Sequence, residues 1–417
     1  MQSIGHFNRY MVMKLNILYK KGLKRLGKIT KRVVPHQTKF KPTGVYQLQQ
    51  ADSSFSGNGD VVVHSIYPNY VTTLDISEEL YQACSEYWKP QRKVVTDYVV
   101  VEVPNGRIHT DNEISIAVIT SGNQVVENVS LSLREGKVVD TRLNSIFRQQ
   151  YFTKPDRFKG TVFSMLSGGA GINNIGHWFL DVLPRLHLLQ ESGMFDQVDW
   201  FLVPSTRYSY QSETLKMMGI PLEKVITGET YTHIQADKII ASTAPRGNHT
   251  LVPSWLLDYM RNAFLPKEQQ EFKSREIGSE GPFIYISRRD SSIRNVLNEE
   301  ELQNVLGNYG FQTILSSNLS ISEKINLFSK AKLVLSPTGA GLISMLFCQP
   351  GTKLVEIFNE GFVIEPFFDI ATKLNLDYKY IICKTSGKKI AQNATQGQHD
   401  HLVVETEKVE ELLKELV

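Results

Sequence analysis

Three short stretches of the chain concentrate side chains able to move a proton or hold an anion. The first is SGGAGINNIGHWFLDVLPRLHLL, residues 167–189. At the helical advance of about 100° per residue, Asp181 falls about 40° and Arg185 about 80° from His177. Trp178, Phe179, Val182, Leu183 and Leu186 gather on the other side, and only Leu188 breaks the division. One helix over about 176–190 is therefore predicted to carry an apolar face and a narrow His/Asp/Arg stripe. A neutral imidazole accepts a proton readily near pH 7, which makes His177 the first candidate for a general base. Asp181 is the second, or the partner that orients His177. The glycine clusters and Asn173-Asn174 ahead of the helix leave room for a substrate, so Asn173, Asn174 and Arg185 are assigned to the acceptor side. An ordinary amphipathic helix with i,i+4 surface pairs would show the same pattern. Pro184 lacks the amide that would bond residue 180, so the turn holding His177 should bend away from the rest of the helix.

The second stretch is FIYISRRDSSIRNVLNEEEL, residues 283–302. A buried strand ending at Ser287 is followed by Arg288, Arg289 and Arg294. Ligands of open α/β sheets sit beyond the carboxyl ends of strands, and guanidinium groups match phosphate oxygens bidentately, so a diphosphate fits here; plain surface arginines are the simpler alternative. Asn298 with Glu301 reads as a helix N-cap and its box partner. The third stretch is LVLSPTGAGLISMLFCQPGTKLVEIF, residues 333–358. A strand enters Pro337-Thr338-Gly339-Ala340-Gly341-Leu342 and a helix leaves it, which aims amides and the positive helix end at an anion. Ser344 stands where a dinucleotide fingerprint needs its third glycine, and His177 stands where a P-loop over 171–178 needs lysine. Glu356, near the end of the next strand, suits ribose or sugar hydroxyls, or is a plain strand-end glutamate. No Asp-x-Asp occurs anywhere in the chain.

Alternating strand and helix signals position these groups. Hairpins punctuated by Asn105-Gly106, Ser121-Gly122-Asn123 and Glu135-Gly136 are expected over Val94–Val139. Strand-helix units follow over 160–241, a helix over 254–264, and a second α/β run over 283–383 with Rossmann-like spacing. The division read from this is a basic arm (1–45), a first α/β lobe opening with the hairpins (46–266), a polar linker (267–281) and a second Rossmann-like lobe (282–417). With 417 residues and 41% hydrophobic content, the chain buries a large core, which excludes disordered and disulfide-framework classes. Cys84, Cys348 and Cys383 are odd in number and unpaired in spacing, pointing to a reducing compartment. Residues 1–51 hold 11 of the 46 Lys/Arg and no Asp or Glu, leaving 35 basic against 43 acidic residues beyond them. Such an arm suits an anionic membrane surface, a solvated tail or docking helix, or, less well, nucleic acid. It has neither a signal-peptide h-region nor an apolar run long enough to span a bilayer.

The ordered motifs N-x-x-H-W-x-x-D-x-L-P-R, Y-I-S-R-R-(x)4-R-x-x-x-N-E and G-A-G-L-(x)4-F-x-x-P-G-(x)4-E resemble glycosyltransferase family 61, known also by its DUF563 domain, over roughly Val94 to Cys383. The resemblance implies a GT-B-like, two-lobed, inverting transferase whose lobes meet at a cleft. It would move a sugar from a nucleotide-sugar donor to a glycan, lipid-linked glycan or protein hydroxyl, with no cofactor beyond that substrate. It implies His177 and Asp181 at the catalytic helix, Arg288, Arg289 and Arg294 near the donor phosphates, and Gly339, Ala340, Gly341, Leu342 and Glu356 in the donor lobe. Thr338 departs from the histidine, and Ser344 from the asparagine, that many relatives carry. Arginines and a helix N-terminus would replace a metal at the diphosphate. By family analogy the setting is surface or capsular polysaccharide synthesis, cytoplasmic or peripheral on the inner membrane face, with no nucleic-acid partner. A non-catalytic sugar- or nucleotide-binding protein and an NAD(P)-dependent oxidoreductase are the competing classes.

Overall fold

Apolar runs of four to six residues alternate with amphipathic helices through most of the chain, and a computed structural model, which describes residues 38–48, 61–265, 281–385 and 397–417, arranges them in two sheets. Most of the predicted basic arm and all but the last residue of the predicted linker lie outside the described residues. In chain order the strands are β1 (Gly44–Tyr46), β2 (Val62–Thr73), β3 (Lys93–Pro104), β4 (Arg107–Thr110), β5 (Ser115–Ile119), β6 (Gln124–Val126), β7 (Leu131–Arg134), β8 (Lys137–Val138), β9 (Asp156–Ser164), β10 (Trp200–Val203), β11 (Val225–Thr227) and β12 (His233–Ser242), all in the first sheet. The second sheet holds β13 (Phe283–Ser287), β14 (Phe311–Leu315), β15 (Leu333–Pro337), β16 (Lys353–Asn359), β17 (Asp377–Thr385) and β18 (Leu402–Val403).

The first sheet runs β1-β6-β5-β4-β12-β9-β10-β11. Strands β12, β9, β10 and β11 are mutually parallel, as the strand-helix alternation predicts. Two of the three expected turns close hairpins: β5 pairs with β6 across Ser121–Asn123, and β7 with β8 across Glu135-Gly136. Asn105-Gly106 does not. Strands β3 and β4 both pair with β12, one with its second half and one with its first, and the Asn105 amide bonds Asp237 O at 2.8 Å. The dipeptide is a kink in one continuous run inside the sheet, because a long partner strand pairs with both flanks and keeps them from pairing with each other. Strand β2, twelve residues antiparallel to β3, lies where the sequence showed no clear pattern.

The second sheet has the order β14-β13-β15-β16-β17-β18, parallel except for β18. Its first strand is flanked by its second and its third, so the direction of winding reverses between β13 and β15. Apolar clusters cover both faces: Ile284, Ile286, Val334 and Leu354 face one way, Tyr285, Leu335, Val355 and Ile357 the other. This explains why its strands read as continuous hydrophobic runs. The 3-10 helix Ala340–Phe347 follows β15 in place of a longer α-helix.

One apolar cluster runs between the sheets. Phe179 packs tilted against Phe264 at 5.4 Å and edge-on against Phe347 at 6.0 Å between ring centroids, and all three are 5% exposed or less. Arg261, on the helix Ser254–Phe264, donates to Leu346 O and Cys348 O, each at 2.8 Å. Each fully buried Phe contributes roughly 1.5–3 kcal/mol. Among the described residues no helix is long and apolar enough to cross a membrane, and the uncharged window 333–352 is a strand, a loop and the 3-10 helix.

Candidate active site

The segment predicted as one bent helix is broken more finely than Pro184 alone suggested. Short helical turns Ala170–Asn173 and Ile175–His177 lead into a wide, π-type turn over Trp178–Val182, and an α-helix resumes at Arg185–Glu191. With no amide at Pro184 to bond residue 180, the preceding amide reaches one residue further back: Leu183 N bonds Trp178 O at 3.0 Å. Such wide turns are frequent at functional sites. Asn174 caps the turn Ile175–His177, its Oδ1 accepting from His177 N at 3.2 Å. Trp178 Nε1 donates to Thr214 Oγ1 at 2.9 Å and anchors the apolar side.

His177 Nδ1 lies 2.6 Å from Asp181 Oδ2. The guanidinium of Arg246 grips the same carboxylate by both oxygens, Nε to Oδ1 and Nη2 to Oδ2, each at 2.8 Å. Burial alone would push the Asp181 carboxyl up, but Arg246 and the hydrogen bond with His177 outweigh it and hold it well below the usual carboxylate range. An ionised Asp181 accepts only, so His177 Nδ1 carries the proton and the lone pair sits on Nε2. The His177 side chain is 41% exposed, and Nε2 has no hydrogen-bond partner among the described residues. That leaves Nε2 able to accept a proton from a group outside the protein.

The remaining members of the predicted acceptor side divide. Asn173 is exposed, whereas the side chain of Asn174 is committed to its cap. Arg185 is buried, bonding Asp181 O, Ser242 O and Thr243 O, so it braces the wide turn against the end of β12 instead of meeting a ligand.

At the switch point of the second sheet, the loops after β13 and β15 touch. Gly339 lies against Arg288, whose guanidinium fills the space that a Cβ would take. Arg288 donates to Ser291 Oγ and Ile293 O, and Arg294, at a left-handed φ of 55°, donates to Thr338 O at 3.1 Å and to Gln398 O. A non-glycine residue held there is strained, and such strain clusters at functional sites. Burial and then the nearby charge of Arg288 pull Arg294 down to about 9, against the opposing pull of Glu356. Two guanidinium groups are thus held together with their charge incompletely answered. Arg289 turns away to Glu299, whose other oxygen accepts from Tyr285 Oη at 2.8 Å.

Glu356 lies inside, fully buried under Thr338, with one oxygen accepting from Tyr378 Oη at 2.8 Å. Burial pushes its carboxyl up to about 7, against the nearby Thr338 hydroxyl, the hydrogen bond from Tyr378 and the charge of Arg294. It supports the loop rather than opening onto its surface. Leu342 is likewise buried, and Gly341 packs on Ile286. Asn298 stands at the N-cap of the helix Glu299–Asn308 and donates to Glu301 at 3.0 Å as expected, but its side chain does not cap the helix amides and instead exchanges hydrogen bonds with the main chain of Val404. The incoming β18 segment supplied a better partner than the helix amides.

The two motif regions meet. A Cβ on Gly176 would lie 3.7 Å from Ala340 Cα, so the turn carrying His177 rests directly on the Gly339–Leu342 loop. Sequence reasoning missed Arg246, Thr250 and Glu365. Arg246 follows the carboxyl end of β12, in Ala-Pro-Arg-Gly-Asn, the same position beyond a strand that singles out Arg288. Among the described residues no three His, Cys, Asp or Glu side chains converge to hold a metal ion.

No curated protein matches the chain in sequence. Residues 175–355, which begin two residues before His177 and run through the arginine loop and the Gly339–Leu342 turn into β16, match the family described as Glycosyltransferase 61. Over that stretch, which is less than half of the chain, the protein is similar to this family, and the match indicates a glycosyltransferase.

Proposed function

We propose that the protein is an inverting, metal-independent glycosyltransferase of GT-B-like, two-lobed form, using a nucleotide-sugar donor and a glycan or lipid-linked glycan acceptor. The observation that carries this is the contact of Gly176 with Ala340, which sets a base-ready imidazole beside the incompletely neutralised Arg288 and Arg294. In this reading the donor diphosphate lies against the two guanidinium groups and the 3-10 helix start, as oxyanions do at switch points. The acceptor oxygen attacks the anomeric carbon from the face opposite the diphosphate while His177 Nε2 takes its proton. The bond from that carbon to the phosphate oxygen breaks, its electron pair leaves with the nucleoside diphosphate, and the configuration inverts. Absence of Asp-x-Asp and the paired arginines support neutralisation without a metal.

A panel of nucleotide sugars screened by thermal shift, with EDTA present, tests this. One donor should raise the melting temperature and be consumed with release of its nucleoside diphosphate, and the product anomer, read by NMR, should be opposite to the donor's. Stabilisation by no nucleotide sugar, or turnover restored only by a divalent ion, would refute it. A surface or capsular polysaccharide role on the inner membrane face rests on family analogy and on the basic arm. Full-length protein should bind anionic vesicles in a salt-sensitive way and lose that binding when residues 1–37 are removed.

A further inference from the structure

We propose that Arg246, tied through Thr250 to Glu365, is a positioning residue that fixes Asp181 and, through it, the ring of His177. This rests on the reading of His177 as the base and extends it to residues from the second sheet.

Arg246 is 9% exposed and spends three nitrogens inside the protein: Nε and Nη2 on Asp181, Nη1 on Thr250 O at 3.3 Å. A buried guanidinium is retained only where carboxylates answer it, and here Asp181, Glu365 and Asp369 all do. The segment that carries it is clamped from the far side. Thr250 Oγ1 donates to Glu365, Val252 N donates to Asp369 Oδ2 at 2.8 Å, and Lys373 Nζ donates to Val252 O at 2.6 Å while pairing with Asp369 at 2.7 Å. Glu365, Asp369 and Lys373 lie at the start of and along the helix Pro366–Lys373, between β16 and β17. From the first sheet, Tyr98 Oη bonds Pro245 O at 3.0 Å and Thr96 Oγ1 lies 3.2 Å from His249 Nε2. The other charged groups facing the relay are Arg185, bonded to Asp181 O, and His249, which burial and then Arg246 and Lys373 keep neutral down to about pH 4.

The consequence is geometric. A carboxylate held by a two-point fork cannot rotate, so Oδ2 presents one lone pair to Nδ1 and the ring has a single favoured orientation and tautomer. With Arg246 removed, burial drives Asp181 toward its protonated form. A protonated carboxyl donates, and the proton distribution on His177 is then no longer fixed.

The test uses the full chain labelled with 15N-histidine, with the ring nitrogens read by long-range 1H–15N correlation and the His177 signals assigned by their loss in His177→Gln. The wild type is expected to show the Nδ1–H tautomer. Arg246→Lys should keep it, and Arg246→Met and Thr250→Val should give a mixed or reversed tautomer. In transfer assays the last two should lower kcat by about 10- to 100-fold and displace the acidic limb of the pH profile, leaving nucleoside diphosphate affinity within twofold. A wild-type ring in the Nε2–H form overturns the proposal, as does an Arg246→Met or Thr250→Val protein that keeps both the Nδ1–H tautomer and the wild-type pH profile. If Arg246→Met does not fold, Thr250→Val carries the test. Full transfer by His177→Gln would overturn the base reading alone, and the ring signals would still decide whether Arg246 positions the pair.

Discussion

Replacing Asp181 with asparagine separates orientation from packing, because the two side chains are nearly isosteric. The carboxylate accepts three hydrogen bonds, two from Arg246 at 2.8 Å and one from His177 at 2.6 Å. The amide offers a single acceptor oxygen, so its NH2 must point at a donor. If it points at Nδ1, that nitrogen becomes the acceptor and the proton moves to Nε2, the atom that has to receive the acceptor's proton. Losing a general base costs typically 10²–10⁴-fold in rate, so kcat for Asp181→Asn should fall by about that much. Among the described residues, Glu365 and Asp369 are left as the counter-charges of Arg246. Breaking a buried pair costs about 3–5 kcal/mol, and the two remaining carboxylates put the expectation near the lower end, about 3 kcal/mol. Nucleoside diphosphate release under saturating donor and acceptor, a denaturant melt and calorimetric titration of the nucleoside diphosphate measure rate, stability and donor affinity separately. Rate and stability should fall while affinity holds. A variant with wild-type kcat and an unchanged pH profile would refute the orientation argument.

Arg294→Gln keeps some hydrogen-bonding capacity but removes charge, and hydrogen bonds to charged groups are worth about 1.5–3 kcal/mol, so nucleoside diphosphate affinity should weaken by about 10- to 100-fold; calorimetry that finds it unchanged would remove Arg294 from the donor site. Gly339→Ala places a methyl group where the Arg288 guanidinium lies, and should impair donor binding while the melting temperature falls by only a few degrees; wild-type affinity would mean that Arg288 moves aside freely. His109 and His233, buried and hydrogen-bonded in neutral form, are lowered to about 3 and about 4, first by burial and then, among other causes, by Arg107 and, for His109, by His233. The unfolded chain binds their protons below about pH 6.5 and the folded chain does not, so stability present above that pH is lost as pH falls, by up to about 1.4 kcal/mol per unit for each ring. Denaturant midpoints at pH 7 and pH 5 check this, and equal values would contradict it.

The second sheet was legible almost residue by residue. The strand ending at Ser287 and the α/β run over 283–383, which holds the parallel strands β13–β17, appear where the pattern put them, because strands buried on both faces leave uninterrupted apolar runs. Strand β2 was not legible, since Val62–Thr73 carries polar residues on an exposed edge and breaks its alternation twice with bulges. The helix Thr406–Leu416 lies beyond the α/β run read from the sequence, although its apolar residues recur at helical spacing. The pairing of His177 with Asp181 was legible because a spacing of four residues brings two side chains to one helix face. The pairing of Asp181 with Arg246 spans 65 residues, and no local period reports a contact made by a loop returning from the end of a distant strand. Arg185 shows the converse: a polar stripe on a helical wheel does not say which of its members faces solvent.

The apolar cluster between the sheets has a consequence for how the chain can be divided. The helix Ser254–Phe264 precedes the break between the sheets in sequence, yet Arg261 on it is fastened to the carbonyl oxygens of Leu346 and Cys348, and Phe264 packs on Phe347. A fragment beginning at residue 282 would expose Phe347 and leave two main-chain acceptors without their donor, and a fragment ending at 265 would carry Phe179 and Phe264 into water. Neither half has a surface suited to life alone. Produced as two separate chains, the halves should be poorly soluble singly and should recover one another when expressed together, as a split enzyme whose reassembly rebuilds the site.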